Sequence, residues 1–290
     1  PTACDDKLLS YLGTADILRV RRINKACEGR VRQYYARAFN VSHALRSFLP
    51  RKAYAAFQGM QAQTGLLIGG RVALDFIRRD LCLEDTMDTF VNRRSVLDVA
   101  STLENLDYRY VPDVLPLRTI AEAVDYKADR STFNSSVVGV HVFRHSSGKR
   151  IVVHVARTST VDCILGYGTS ALMNFVSHTS AYALYPKGTL MSRHALFLAP
   201  PPWMGVPDDH YSKRAYGYKN TAQVTRLTAS RAAHEWGRKF RYVGDDLTCK
   251  ISLSSATYVD LDHWRYLLTR LQRHLGRRHA PIMEALLSSH

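Results

Sequence analysis

Two glycines and an acidic segment, separated by a short helical pattern, have the residue types that bind a phosphate group and a metal ion. Gly69 and Gly70 follow an apolar run at residues 66–68, and apolar residues at helical spacing follow at 72–76. Glycine lets the backbone approach a phosphate closely, and a helix N-terminus offers free N–H groups to it. The acidic segment at residues 84–88 precedes a second apolar run. Carboxylates of this acidic segment would hold Mg²⁺. This order predicts a site that binds a nucleotide triphosphate.

These residues resemble the nucleotidyltransferase fold of the DNA polymerase beta superfamily, whose motif is Gly-Ser followed on the next strand by Asp-x-Asp. Gly70 stands at the position of the glycine, and Asp88 stands at the position of the second aspartate. The resemblance implies that Gly69 and Gly70 bind the ligand and that Asp88 is both a catalytic residue and the metal ligand. It also implies an α+β or α/β fold with a small mixed sheet.

The sequence departs from that motif at two positions. Arg71 stands where serine is usual, and Thr86 stands where the first aspartate is usual. Two carboxylates at positions i and i+2 of a strand point the same way and can share one metal, which Thr86 and Asp88 cannot do. Asp85 is the next candidate for a catalytic carboxylate, although it would point to the opposite side unless the backbone turns there. Because Arg71 adds a fixed positive charge near the phosphate, we expect little dependence on Mg²⁺.

A predicted β-hairpin supplies a third candidate. Alternating apolar residues at 137–143 and 151–156 flank a turn at 145–149, whose glycine suits a positive φ. In the nucleotidyltransferase fold a later strand can supply a third carboxylate, and this strand carries His154 instead. The histidine could act as a catalytic base, as a metal ligand or as a structural residue, and the sequence leaves these alternatives open.

A wider resemblance covers about residues 8–250. The chain is similar to basidiomycete fungal proteins that join an F-box-like N-terminus to a nucleotidyltransferase-like region. This implies an F-box-like helical segment at residues 1–50, an α/β core at 51–160 and a helical C-terminal lobe at 161–290, and it implies no particular activity. The matching segments are LLSYLGTADILRVRRINKAC, AFNV, QTGLLIGGRVALDF, VHVARTSTVDCILGYGTSALMNFVSHTSAYALYPKGT and GRKFRYVGDD.

The predicted N-terminal helices, at residues 7–36, have an apolar face that includes Leu8, Leu12 and Ile17. In an F-box such a face docks a Skp1-type adaptor protein, which makes this adaptor a candidate partner. The alternative is that the helices pack on the rest of the chain as a cap, because an exposed apolar face is unfavourable unless something covers it.

Apolar periodicity predicts further helices at residues 51–63 and 95–106. The apolar stretch at 160–183 predicts a pair of helices in the core of the C-terminal lobe, with Asn174 and His178 on one face. Aromatic and basic residues that could contact a base or a phosphate occur at 203–220 and 238–242, and an amphipathic helix is predicted at 260–287.

The chain is strongly basic, with 40 Lys and Arg against 25 Asp and Glu and a net charge of +15. We therefore expect it to bind polyanions such as RNA or DNA at least non-specifically. No apolar run reaches the roughly 18 residues that cross a bilayer, and the first residues lack a secretory signal pattern. Five cysteines without CxxC spacing are typical of reduced thiols. These features favour an intracellular protein, in the cytoplasm or nucleus, without a membrane partner.

Three functions remain open from the sequence. The first is a nucleotidyltransferase-fold protein that binds a nucleotide, nucleic acid or other phosphate-bearing ligand, with metal-dependent transfer degenerate. The second is an F-box adaptor that recruits a target to a Skp1-type ubiquitin ligase. The third is a repurposed enzyme in which Asp88, His154 and Arg71 act on an unrelated small substrate.

Overall fold

The computed structural model describes residues 2–112, 119–125, 136–167, 169–192, 194–197, 217–220, 243–244 and 248–253. This part of the chain has a mixed α/β fold in which helices cover both faces of a sheet. The α-helices are α1 (Thr2–Tyr11), α2 (Thr14–Arg21), α3 (Lys25–Ala38), α4 (Ser42–Leu45), α5 (Tyr54–Thr64), α6 (Gly70–Arg78), α7 (Val96–Asn105), α8 (Ile120–Asp125) and α9 (Thr160–Leu165).

The main sheet has eight strands in the spatial order β10-β7-β6-β1-β2-β5-β4-β3. The β2–β5 pair is parallel and the other neighbours are antiparallel, so the sheet is mixed. A separate parallel pair is formed by β8 and β9. The strands are β1 (Leu67–Ile68), β2 (Thr86–Asn92), β3 (Arg109–Val111), β4 (Val137–Arg144), β5 (Arg150–Ala156), β6 (Asn174–Val176), β7 (Ser180–Ala183), β8 (His194–Phe197), β9 (Gly217–Asn220) and β10 (Cys249–Ser252).

Successive side chains of the central strand β2 point to opposite faces and enter two different cores. Met87 lies in a buried cluster with residues of α5, α6 and α7. Phe90 lies in a second buried cluster, which includes Val161 and Ile164 of α9. Helices α5 to α7 therefore cover one face of the sheet, and α9 covers part of the other.

The first three helices pack on one another and against the end of α6. Leu9, Ile17 and Val31 are buried in a small cluster between them. The guanidinium of Arg79, directly after α6, donates hydrogen bonds to the carbonyl oxygens of Leu9 (3.2 Å) and Leu12 (2.6 Å). These bonds connect the N-terminal helices to the helix that begins at the candidate site.

Several elements predicted in the middle of the chain are confirmed. The predicted helices at 51–63 and 95–106 correspond to α5, with the 3₁₀ turn before it, and to α7. The predicted hairpin is the antiparallel β4–β5 pair, and Gly148 in its turn has a φ of +86°. Local patterns suffice here, because each element has a polar side that makes its periodicity visible.

The predicted helix pair at 160–183 is wrong in its second half. After α9 and a 3₁₀ turn at Ser170–Leu172 the chain forms β6 and β7, and both join the main sheet. All residues of these two strands are buried, including the polar Asn174 and Ser180, so the strands lack the alternation of polar and apolar residues that would distinguish them from a buried helix. The sheet is therefore larger than expected, and it continues beyond residue 160.

Two predictions lie mainly outside the described residues. These are the amphipathic helix at 260–287 and the aromatic and basic segments at 203–220 and 238–242, of which 217–220 form β9. Within the described part of the chain, no helix has the length and apolar character needed to span a membrane.

Candidate functional site

The two glycines at the end of β1 allow side chains of β2 to lie directly against the start of α6. A Cβ atom on Gly69 would be 2.5 Å from Cε2 of Phe90, and one on Gly70 would be 2.6 Å from Oδ2 of Asp88. Gly70 also has a φ of +61°, which residues with a side chain rarely adopt. The N–H of Gly69 donates to the carbonyl oxygen of Asp88 at 2.9 Å. Both glycines are therefore needed to hold the Asp88 carboxylate beside the N-terminus of α6.

Asp88 forms a hydrogen-bonded pair with His154. The two residues lie on the parallel strands β2 and β5, and Oδ1 of Asp88 is 2.9 Å from Nε2 of His154. The imidazole stacks on the ring of Phe90 with centroids 4.8 Å apart and an interplanar angle of 15°. Tyr167 packs edge-on against Phe90, and its hydroxyl lies 3.1 Å from the Cβ position of Gly70. The structure thus brings the predicted Gly70, Asp88 and His154 together.

This arrangement can move a proton or neutralise a charge. An ionised carboxylate only accepts hydrogen bonds, so Nε2 of His154 carries the hydrogen in this pair and Nδ1 is available as a base when the ring is neutral. When the ring is protonated, the pair becomes an ion pair beside α6. The side chains of His154 and Asp88 are 21% and 29% exposed, so solvent reaches both.

The donor set does not fit a two-metal site. Mg²⁺ prefers carboxylate, phosphate and water oxygens, and one oxygen of Asp88 already bonds His154. Thr86, two residues earlier on the strand, offers a hydroxyl in place of a second carboxylate. Among the residues that the structure describes, no group of three or more His, Cys, Asp or Glu side chains could hold a metal ion.

Asp85 lies apart from the Asp88–His154 pair. Its carboxylate is largely exposed and binds the ammonium group of Lys149 at 2.5 Å. The hydrogen bond from Lys149 lowers the pKa of Asp85 below its usual value, which keeps the carboxylate ionised. The role of Asp85 in catalysis stays a prediction, and its observed partner is the turn of the β4–β5 hairpin.

Arg71 is engaged within its own helix. Its Nε donates to Oδ1 of Asp75 at 2.5 Å, and the Asp75 side chain is only 2% exposed. Burial raises the pKa of Asp75 to about 6, and the charge of Arg71 opposes this shift. The arginine therefore stabilises a buried carboxylate in α6, and a direct contact with a phosphate stays a prediction.

Asn174 and His178 are not on a shared helix face. Asn174 begins β6, where its Nδ2 donates to the carbonyl oxygen of Ala171 at 2.5 Å. His178 lies in the turn between β6 and β7, and burial lowers its pKa. Their predicted position on one helix face depended on a second helix, and the structure has β6 and β7 in its place.

Phe90 and Tyr167 are parts of the site that the sequence analysis did not predict. The signal for Phe90 was available, because a residue at i+2 from Asp88 must share its face of the strand. Tyr167 follows α9, and its position depends on how α9 packs on the sheet, which no local pattern reports.

The fold and site define a mixed α/β protein in which an Asp–His pair lies at a glycine turn that opens a helix. No protein-family model, curated protein sequence or solved structure matches the chain.

Proposed function

We propose that this chain is a nucleotidyltransferase-fold protein that binds a phosphate-bearing ligand, a nucleotide or nucleic acid, at the start of α6, and that its metal-dependent transfer is degenerate. The observation behind this proposal is the hydrogen bond between Asp88 and His154 directly beside Gly70. One carboxylate and one imidazole stand where the resemblance implies a set of metal-binding carboxylates.

The chain order of the elements supports the proposal. β1 ends in the glycine turn, α6 follows, and β2 then carries Asp88 beside that turn. β5 lies next to β2 in parallel and carries His154. This is the sequence of turn, helix, carboxylate strand and later strand that the resemblance implies.

Electrostatics explain how the site would bind a phosphate without a metal. The N-terminus of α6 attracts an anion, because the helix dipole has its positive end there. The nearby carboxylate of Asp88 opposes this attraction, since like charges repel. His154 can offset the carboxylate when it is protonated, and it thereby supplies a positive charge that Mg²⁺ would otherwise provide.

The substitution Asp88→Asn separates this proposal from a metal-dependent enzyme. Without metal chemistry, removal of the negative charge should leave the affinity for a nucleotide unchanged or increase it. If Asp88 holds Mg²⁺, the same substitution should abolish binding, because a metal ligand is lost. Calorimetry with a panel of nucleoside triphosphates and pyrophosphate, in Mg²⁺ and in chelator, measures the affinity and its dependence on Mg²⁺. Asp85→Asn is the matched control and should change neither quantity.

Two results would overturn the proposal. The first is tight binding that requires Mg²⁺, with nucleotidyl transfer that Asp88→Asn eliminates. The second is the failure of every phosphate-bearing ligand to bind the folded protein. The second result would leave the Asp88–His154 pair to an unrelated small substrate, because an oriented imidazole can serve as a general base in many reactions.

A specific observation favours a second candidate function, that of a Skp1-type adaptor. Leu8 and Tyr11 on α1 are 64% and 79% exposed, and Ile23 after α2 is 67% exposed. Ile17, by contrast, is fully buried. A partner that docks on this segment would therefore contact the Leu8 side of α1.

The adaptor function is tested by co-elution of the purified chain with a fungal Skp1-type protein. Leu8→Asp combined with Tyr11→Asp should abolish co-elution, because a charge would replace each apolar contact. Leu97→Asp, at a half-exposed position on α7, is the control. Absence of co-elution at micromolar concentrations, with both proteins folded, would exclude this function.

A further inference from the structure

Three arginines lie directly opposite one another on three neighbouring strands. Arg109 of β3 pairs with Arg144 of β4, Arg144 pairs with Arg150 of β5, and Arg150 is opposite Thr86 of β2. Residues paired in this way point to the same face of a sheet. All three side chains are exposed. We call this set the arginine row.

The arginine row is on the same face as the Asp88–His154 pair. Arg150 and His154 are four residues apart on β5, so strand alternation places them on one face. Ile151 and Val153 between them are fully buried on the opposite face. At the rise of about 3.3 Å per residue in a strand, roughly 13 Å separates Arg150 from His154.

A row of valines fills the space between the arginines and the site. Val111, Val142 and Val152 are paired across β3, β4 and β5, and Val152 is opposite Asp88. These valines are partly exposed. The face therefore presents a basic row, then an apolar row, then the Asp–His pair.

The arginine row does not contribute to the stability of the fold. Like charges directly opposite one another on a sheet are destabilising. Among the residues that the structure describes, no carboxylate forms an ion pair with Arg109, Arg144 or Arg150. Arg150 does interact electrostatically with Asp85, but that carboxylate is bound to Lys149. The positive charge of the row is thus available to an external anion.

We propose that this face binds single-stranded nucleic acid, with backbone phosphates on the arginine row and one nucleotide at the Asp88–His154 site. The proposal rests on the function proposed above for that site. Adjacent strands are about 4.8 Å apart, so the row is roughly 10 Å long. A nucleoside monophosphate is too short to occupy the site and cover the whole row, whereas a chain of consecutive phosphates can do both.

The valine row favours a single strand over a duplex. Unpaired nucleotides expose the faces of their bases, which can pack on apolar side chains while phosphates bind arginine. In a duplex the bases are stacked inside, and the valines would have nothing apolar to contact. Guanidinium groups suit phosphate because they form paired, charge-assisted hydrogen bonds with it.

The test compares two triple variants of the whole chain that lose the same charge. The row variant carries Arg109→Gln, Arg144→Gln and Arg150→Gln. The control variant carries Arg46→Gln, Arg51→Gln and Arg94→Gln, at exposed positions outside the sheet. Fluorescence anisotropy then measures the binding of labelled single-stranded RNA and DNA decamers over a range of salt, with a mononucleotide, a duplex and heparin as comparison ligands.

We expect the row variant to bind the single strand about tenfold more weakly or worse, since even one charge-assisted hydrogen bond is worth that much. The slope of log affinity against log salt should fall by about 2, from three lost phosphate contacts at roughly 0.7 each. The control variant should match the unmodified protein, and mononucleotide affinity should be the same in all three proteins. Preference for RNA over DNA would indicate a contact with the 2′-hydroxyl.

Several results would overturn the inference. The effect would be one of net charge alone if the row and control variants lost the same affinity for the single strand. The same would follow if the row variant lost as much affinity for heparin and duplex as for the single strand. A decamer that binds no more tightly than a mononucleotide would exclude the extended surface while leaving the proposed site intact. Row-dependent binding of the decamer, without any mononucleotide binding, would instead overturn the function proposed for the site.

Discussion

Oδ1 of Asp88 and Nε2 of His154 are 2.9 Å apart, although 66 residues separate them in the chain. Their contact depends on the parallel pairing of β2 with β5, which sets Phe90 opposite His154 and Asp88 opposite Val152. The imidazole then reaches the carboxylate along the strand direction and stacks on Phe90. The register of two strands thus holds the Asp–His pair together.

Gly70→Ala should destabilise the protein by about 1–3 kcal/mol, because a methyl group would collide with the Asp88 carboxylate in a backbone conformation that alanine disfavours. Denaturant unfolding measures the change. Asp88→Ala removes the colliding atoms, so the double variant should lose less than the sum of the two single variants. Gly59→Ala in α5, where a Cβ meets open space, is the control and should stabilise the protein by about 0.5–1 kcal/mol. Additive losses would contradict the close approach.

The buried carboxyl of Asp75 should make the protein more stable as the pH falls from about 6 to about 4. Its pKa is about 6 in the folded state, against 3.8 for an aspartate in an unperturbed environment, so the folded state holds the proton more strongly over this range. The contribution of Asp75 to the free energy of unfolding is complete below the unperturbed pKa and lost above the folded pKa. It is on the order of 2–3 kcal/mol. The unfolding free energy measured across this pH range, compared with that of Asp75→Asn, isolates it. Identical pH profiles for the two proteins would refute it.

Arg71→Gln should raise the pKa of Asp75 further and destabilise the protein at neutral pH, because a buried carboxylate would lose its partner. The loss of one partner of a buried pair is about 3–5 kcal/mol. Asp75→Asn in the same chain should recover most of it, as measured by thermal and denaturant unfolding at pH 7. If Arg71→Gln instead impairs only nucleotide binding and leaves stability unchanged, the arginine serves the ligand rather than the helix.

Arg144→Gln should stabilise the free protein by about 0.2–1 kcal/mol, because Arg144 is flanked by an arginine on each neighbouring strand. The gain should decrease at high salt, which screens the repulsion. Thermal unfolding at two ionic strengths gives both quantities, with Arg46→Gln as the control. A loss of stability would show that the arginine makes a favourable contact within the fold.

Arg79→Met should loosen the N-terminal helices, since the guanidinium bonds the Leu9 and Leu12 carbonyls and the Tyr34 hydroxyl. Hydrogen bonds to a charged donor contribute about 1.5–3 kcal/mol each, so the free energy of opening should fall by an amount of that order. Hydrogen exchange of the amides in α1 to α3 reports this opening. The exposed Arg22→Met serves as the control. Unchanged protection would mean that apolar packing alone holds these helices.

Local sequence patterns predict the elements whose two sides differ in polarity and the turns that require glycine. The β4–β5 hairpin, α5, α7 and the glycine turn before α6 all follow from local patterns. Two further relationships follow from spacing over a few residues. Arg71 and Asp75 are one helical turn apart, and the short turn of the hairpin sets Arg144 opposite Arg150.

The other strands and the contacts of the site depend on pairing between segments that are far apart in the chain. β6 and β7 are buried on both faces, and their short sequences have no alternation of polar and apolar residues that separates a strand from a helix. The pairing of β2 with β5 joins segments far apart in sequence, and a shift of one residue would have turned His154 to the opposite face, away from Asp88. The alignment of Arg109 with Arg144 and Arg150 depends on β3 pairing with the hairpin in the same way. Such registers are set by which side chains the two cores must bury, and that is a property of the whole fold.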